Sequence, residues 1–136
     1  LNAITDLAQL IASMKPERQP ADYVFVTVTG DIADYLTLNP LACFQEAEGL
    51  TLILEQTKAD HAGIGYEGVF SQITMTVHSS LEAVGLTAAI SNALAQHNIS
   101  ANVVAAYFHD HVFVPKENAE QALQVLQQLS REPSPC

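Results

Sequence analysis

Between Phe70 and Val114 the hydrophobic period of the chain switches from two to about four and back again, and that series restricts the fold more than any other feature. Ile73, Met75 and Val77 alternate with Gln72, Thr74 and Thr76, as in a strand with one buried face. Ser79 with Glu82 three residues on is the S-x-x-E pattern of a capped helix start. Leu86, Ile90 and Leu94 then recur every fourth residue, with Ala93 and His97 widening the stripe. Asn98 is placed to end that helix in the left-handed conformation. Asn102–Phe108 and Val112–Val114 read as two strands joined by a turn at His109-Asp110.

The flanking segments supply the remaining elements. Ile4, Leu7, Ile11 and Met14, widened by Leu10, predict an amphipathic helix over residues 3–14, closed by Pro16 and Pro20. Asp22–Val28 is rich in β-branched and aromatic residues and apolar on both faces, which suits a buried strand. A looser stretch, Thr29–Pro40, carries one short helical turn. Cys43–Glu48 and Leu50–Gln56 form a hairpin about Gly49, with Leu50, Leu52 and Leu54 on its core face. Thr57-Lys58-Ala59-Asp60 resembles a capping box opening a helix near 58–63. After Pro115 a helix over roughly 117–129 buries Ala119, Ala122, Leu123, Leu126 and Leu129.

The order is thus α-β-β-β-α followed by β-α-β-β-α, an α+β protein of two ferredoxin-like units with antiparallel sheets and helices packed on one face. Residues 1–65 form the first, incomplete unit, residues 66–130 the second, and 131–136 a frayed tail. The second unit lacks the last strand of its fold. Asp22–Val28 is the strand available to fill that place, so the two units are expected to be closely associated.

Composition narrows the function. Fifteen acidic residues against five basic ones give a net charge of −10, and no Lys/Arg cluster reverses it locally, which excludes nucleic acid and anionic membranes as partners. Ala83–His109 has no charged residue, yet polar side chains from Ser91 to Asn102 interrupt it too often for a membrane span. With 49% hydrophobic and only 15% charged residues, part of the surface is expected to be covered by a partner subunit. Cys43 and Cys136 are too few and too far apart for a disulfide framework or zinc site, and predict reduced thiols in a cytoplasmic protein.

The motifs that suggest chemistry have plainer explanations. His109-Asp110-His111 could converge on a metal, but no further ligands gather nearby in sequence, and a polar hairpin turn accounts for it. His78-Ser79-Ser80 beside Glu82 lacks a nucleophile elbow, and a helix cap explains it. Glu46 and Glu48 share a strand face, where solvation is the common outcome. An arginine or a C-x-x-C in the strand-to-helix loop would indicate acylphosphatase or heavy-metal carrier chemistry, and neither is present. Small-ligand binding at a helix N-terminus remains.

Val77–Leu94 followed by Asn98–Pro115 resembles an ACT domain. Asn98-Ile99-Ser100 stands at the family's step into the second strand, and Asp110–Val114 at its "D-h-hV" hairpin, h being hydrophobic. Tyr23–Val28 and Cys43–Ile64 resemble the first half of a small bacterial group with tandem ACT-like units. The second half is also similar to the ACT units of aspartate kinases and cytosolic arginine sensors. The loop departs from the family's Asp-x-Pro-Gly, with Ser79-Ser80 and Gly85 in its place.

The resemblance implies a non-catalytic regulatory module that binds an amino acid, without cofactor or metal, at His78, Ser79, Ser80, Val84, Gly85 and Leu86. It also implies pairing of ACT units, within one chain or in a homodimer. A ligand-free dimerisation module of the same fold is the alternative.

Overall fold

The computed structural model describes residues 6–81 and 83–131. Packing divides them into two units. One, the terminal unit, joins the chain up to Gln19 with the chain from Ser71 onward; the other, the central unit, is Pro20–Phe70. The sequence division after residue 65 kept the N-terminal helix with the first unit. In the fold that helix and the start of the following strand belong with the C-terminal half.

The reason lies in one corner. Helix α1 (Leu7–Ser13) is capped by Asp6, whose Oδ1 accepts from the amides of Ala8 and Gln9 at 2.9 and 3.3 Å. The chain then reverses through Lys15, at φ 41°, into strand β1 (Pro16–Val28). The strand therefore starts six residues before the expected Asp22, and Pro16 and Pro20 stand inside it. A first-position proline is compatible with a strand because its missing N–H removes no ladder bond. The Thr76 amide donates to the Met14 carbonyl at 2.8 Å and its hydroxyl to the Lys15 carbonyl at 3.0 Å. Those two bonds fix the corner to the end of strand β4 (Phe70–Met75).

In the terminal unit the strands run β1–β4–β6–β5, with β5 Asn102–Ala105 and β6 Asp110–Pro115. The start of β1 thus takes the place of the missing last strand. Gln19 Nε2 donates to Thr74 Oγ1 at 3.2 Å, and Arg18 to Ser71 Oγ at 3.3 Å. Helices α1, α3 (Leu86–Gln96) and α4 (Ala119–Arg131) cover one face. The core between the layers holds Leu10, Met14, Ile73, Met75, Ile90, Leu94, Val112, Val114 and Leu126. Helix α3 ends as its sequence predicts: Asn98 is left-handed at φ 58°, and the Ile99 amide returns to the Leu94 carbonyl at 3.0 Å.

In the central unit the order is β2–β3–β1, with β2 Ala42–Gln45 and β3 Leu50–Glu55. All pairs are antiparallel, Tyr23 opposite Glu55 and Val28 opposite Leu50. Val24, Val26, Leu50, Leu52 and Leu54 form its core with Ala59 of α2 (Gln56–Ala62). The expected capping box at Thr57–Asp60 does not form: α2 begins at Gln56, directly after β3, with no side-chain cap. Gly49 is required by close approach, since a Cβ there would lie 2.9 Å from Thr27 Oγ1. A short 3-10 helix, Ile32–Leu38, realises the expected turn.

Leu94 of α3 is fully buried in the core of the terminal unit. Leu94→Ala is expected to cost about 2–5 kcal/mol, read as a lowered urea midpoint. Leu36→Ala, at a position 63% exposed, is expected to change stability by less than about 0.5 kcal/mol.

Candidate functional site

Helix α3 begins six residues later than the Ser79 cap predicts. Its N-cap is Gly85, at φ 102°. Glu82, the partner in the expected cap, lies outside the described residues. Ser79 instead uses its hydroxyl to donate to the Ser80 carbonyl at 3.4 Å and is almost fully buried. The described residues between β4 and α3, 76–81 and 83–85, accordingly contain no helix.

Gly85 is the pivot of this connection. A Cβ there would come within 2.9 Å of Leu7 Cδ2, and its φ disfavours L side chains. Substituting Gly85 therefore strains the loop backbone before it can report on binding. No side chain caps α3, and its first turn has no acidic residue. The amides of Leu86, Thr87 and Ala88 have no carbonyl four residues back within the helix, and carry its positive dipole end.

A cavity of about 120 Å³ opens at this helix end, lined by Ser79, Ser80, Leu81, Ala83, Gly85, Leu86, Thr87, Ala105 and Asp110. Four of the expected ligand residues, Ser79, Ser80, Gly85 and Leu86, are in this wall. The other two stand outside it: Val84 is 82% exposed, and the His78 ring packs on Phe108 and Tyr107 at centroid distances of 5.3 and 6.4 Å.

Asp110 is the residue that sequence reasoning missed. The hairpin turns at Ala106–His109, with the Ala106 amide donating to the His109 carbonyl, and not at His109-Asp110. Asp110 is consequently the first residue of β6, paired with Ala105. Alternation puts it on the same face as Val112 and Val114, toward the helices and the cavity. It is 7% exposed. Burial pushes its carboxyl pKa up, while the charges of His111 and His109 pull in the other direction.

The neighbouring histidines point elsewhere. His109 Nδ1 lies 3.1 Å from the Val77 carbonyl. His111 Nδ1 lies 3.0 Å from both Gln72 Nε2 and Thr74 Oγ1. Thr74 already accepts from Gln19, so its hydroxyl proton is free to point at the imidazole. Two donors aimed at one ring nitrogen favour neutral His111, and burial, with His109 second, lowers its pKa. No group of three or more metal-ligating side chains exists among the described residues. None of their helices is long and apolar enough to cross a membrane.

Comparison with known proteins agrees with this geometry. Two ACT-domain family models match the chain, one over residues 2–71 and the other over residues 69–128. The chain belongs to the ACT-domain family. A Vibrio cholerae protein of unknown function, described as a possible transport protein, is 57% identical. It covers 91% of this chain and 95% of its own, with a TM-score of 0.84. The ligand-free regulatory subunit of Thermus thermophilus aspartate kinase has a TM-score of 0.64 at 14% identity, covering 86% of this chain and 97% of its own. Clostridium acetobutylicum aspartate kinase has a TM-score of 0.63 at 10% identity, covering 82% of this chain and 32% of its own. The kinase likenesses concern the fold alone. No curated protein matches the chain. ACT domains are regulatory modules that commonly bind amino acids and pair with one another.

Asp110 and His111 should titrate in opposite senses. The raised Asp110 pKa means that folding costs more as pH rises from about 3.8 through its folded value. The lowered His111 pKa means that its contribution is present above about 6.5 and lost as pH falls through its folded value. Asp110→Asn is therefore expected to raise stability at neutral pH, and His111→Gln to flatten the acid side of the profile. Urea midpoints measured from pH 4 to 8 check both; a less stable Asp110→Asn at pH 7 would contradict the assignment.

Proposed function

We propose that the chain is a stand-alone amino-acid-binding ACT module whose ligand occupies the cavity between the start of α3 and Asp110. The observation that supports this reading is the pairing of opposite polarities across one small space. Uncapped helix amides offer positive potential at one side, and a buried carboxylate stands at the other. A zwitterion fits both, with its carboxylate on the amides of Leu86–Ala88 and its ammonium on Asp110. The Ser79 and Ser80 hydroxyls supply further polar contacts, and about 120 Å³ favours a small side chain. His78 and Val84 would act from outside the wall.

Ammonium binding would also favour the ionised form of Asp110, whose charge burial disfavours. Binding would stiffen the Thr76–Gly85 loop against α1 and so alter how units or partners pack. No catalytic role is assigned to any residue. The free, exposed thiol of Cys43 agrees with a cytoplasmic setting.

A second reading is a ligand-free dimerisation module. It is favoured by the exposed Leu81, Val84, Tyr107 and Phe108, and by the uncharged β5 at the sheet edge of the terminal unit.

A thermal-shift panel of the amino acids separates the two. A ligand at about 100 times its Kd stabilises by about 2.7 kcal/mol, a Tm rise of roughly several degrees for a chain of this size. One small amino acid is expected to give such a shift, and its 2-hydroxy acid analogue, which lacks the ammonium, is not. Asp110→Asn should fold and lose the shift. A flat panel, or an unchanged shift in Asp110→Asn, would overturn the proposal.

A further inference from the structure

The central unit carries a second concave site that the amino-acid reading does not use. It is a groove of about 460 Å³ beside β1, lined by Phe25, Val26, Thr27, Gly65, Tyr66, Glu67, Gly68 and Phe70. Alternation along β1 sends Val24 and Val26 into the core, which leaves Phe25 and Thr27 on the other side. Phe25 and Phe70 meet edge to face, centroids 5.3 Å apart and planes at 74°, so the pair cannot close flat upon itself. Both rings are only half-buried.

The remaining wall is built rather than incidental. The Tyr66 hydroxyl donates to Asp60 Oδ1 at 2.7 Å and accepts from Gln56 Nε2 at 3.0 Å, which holds the ring in place. At Gly68 a Cβ would lie 3.3 Å from Phe70 Cε1, so a side chain there would press on the groove's own aromatic wall. At Gly65 a Cβ would meet nothing within 4 Å, so packing does not demand a glycine there; its absent side chain leaves the groove open.

The charge of this wall has one sign. Glu67 is the sole ionisable carboxylate among the lining residues, and none of them is basic. Aromatic faces carry negative potential and attract cations within about 6 Å. The Phe25 and Phe70 rings and one carboxylate, on a chain of net charge −10, repel anions and favour a positively charged guest.

We propose that this groove binds a small organic cation of the alkylammonium class, its charged head against the Phe25 and Phe70 rings and beside Glu67. The site lies wholly in the central unit and does not depend on the amino-acid site of the terminal unit. Its failure would leave that reading intact.

Choline chloride is a suitable probe, followed by amide chemical shifts of the full chain. Shifts are expected at Gly65, Glu67 and Gly68, with none for the neutral carbon isostere of choline. Glu67→Gln, at an exposed position, should fold normally and weaken binding by roughly fivefold. Phe25→Leu should weaken it further while the α3 and α4 amides keep their positions. Equal binding of the neutral isostere would make the groove a simple apolar pocket. That result, an unchanged affinity in Glu67→Gln, or no shift up to tens of millimolar choline would each overturn the proposal.

Discussion

The architecture depends on the corner where α1 turns into β1. Thr76 holds that corner through two hydrogen bonds, to the Met14 and Lys15 carbonyls, and the Leu7 side chain packs close to Gly85, whose φ of 102° favours glycine. With the corner in place, the first residues of β1 extend the sheet beside β4, and α1 joins α3 and α4 over the same core. Without it the β4–β6–β5 sheet would expose the β4 edge, and the core would lose Leu10, Ile11 and Met14. A segment distant in sequence therefore completes the unit that carries the cavity.

This constraint also shapes the site. Because Gly85 is left-handed at φ 102°, α3 does not continue backward toward Ser79. The helix starts late, uncapped, with its amides at the cavity. Ordinary stability would favour a side-chain cap at such a position. A buried carboxylate would likewise be replaced by an amide if stability were all that mattered. The two stability costs face one another across the same space, where a zwitterion would relieve both. Polar groups kept at a local cost are the pattern expected of a binding site.

Much of the fold was legible because periodicity and packing agree. The strand at Ile73–Met75, the stripe Leu86–Ile90–Leu94, the Asn98 terminator and the C-terminal helix follow the side-chain pattern directly. The misread elements were those decided by tertiary contacts. Residues Pro16–Gln19 form a strand because β4 offers an edge, although two prolines argue locally for a break. The Thr57 capping box fails because β3 runs straight into α2 at Gln56. The S-x-x-E pattern at Ser79 has the local chemistry of a cap, but the helix it would cap begins at Leu86. Around the cavity, Ser79, Ser80, Gly85 and Leu86 were legible as loop residues, and they line it. Asp110 was missed because His109-Asp110-His111 reads as a polar turn; only the displacement of that turn to Tyr107-Phe108 reveals that Asp110 faces inward.

The central claim is that α-amino and α-carboxylate groups are read by Asp110 and the first amides of α3. Backbone amide spectra of the ¹⁵N-labelled chain, recorded with increasing concentrations of small amino acids, test it most directly. The account predicts saturable shifts concentrated at Leu86, Thr87, Ala88 and Asp110, with the central unit unmoved. Saturable shifts confined to other residues, or spectra unchanged at every concentration, would contradict it.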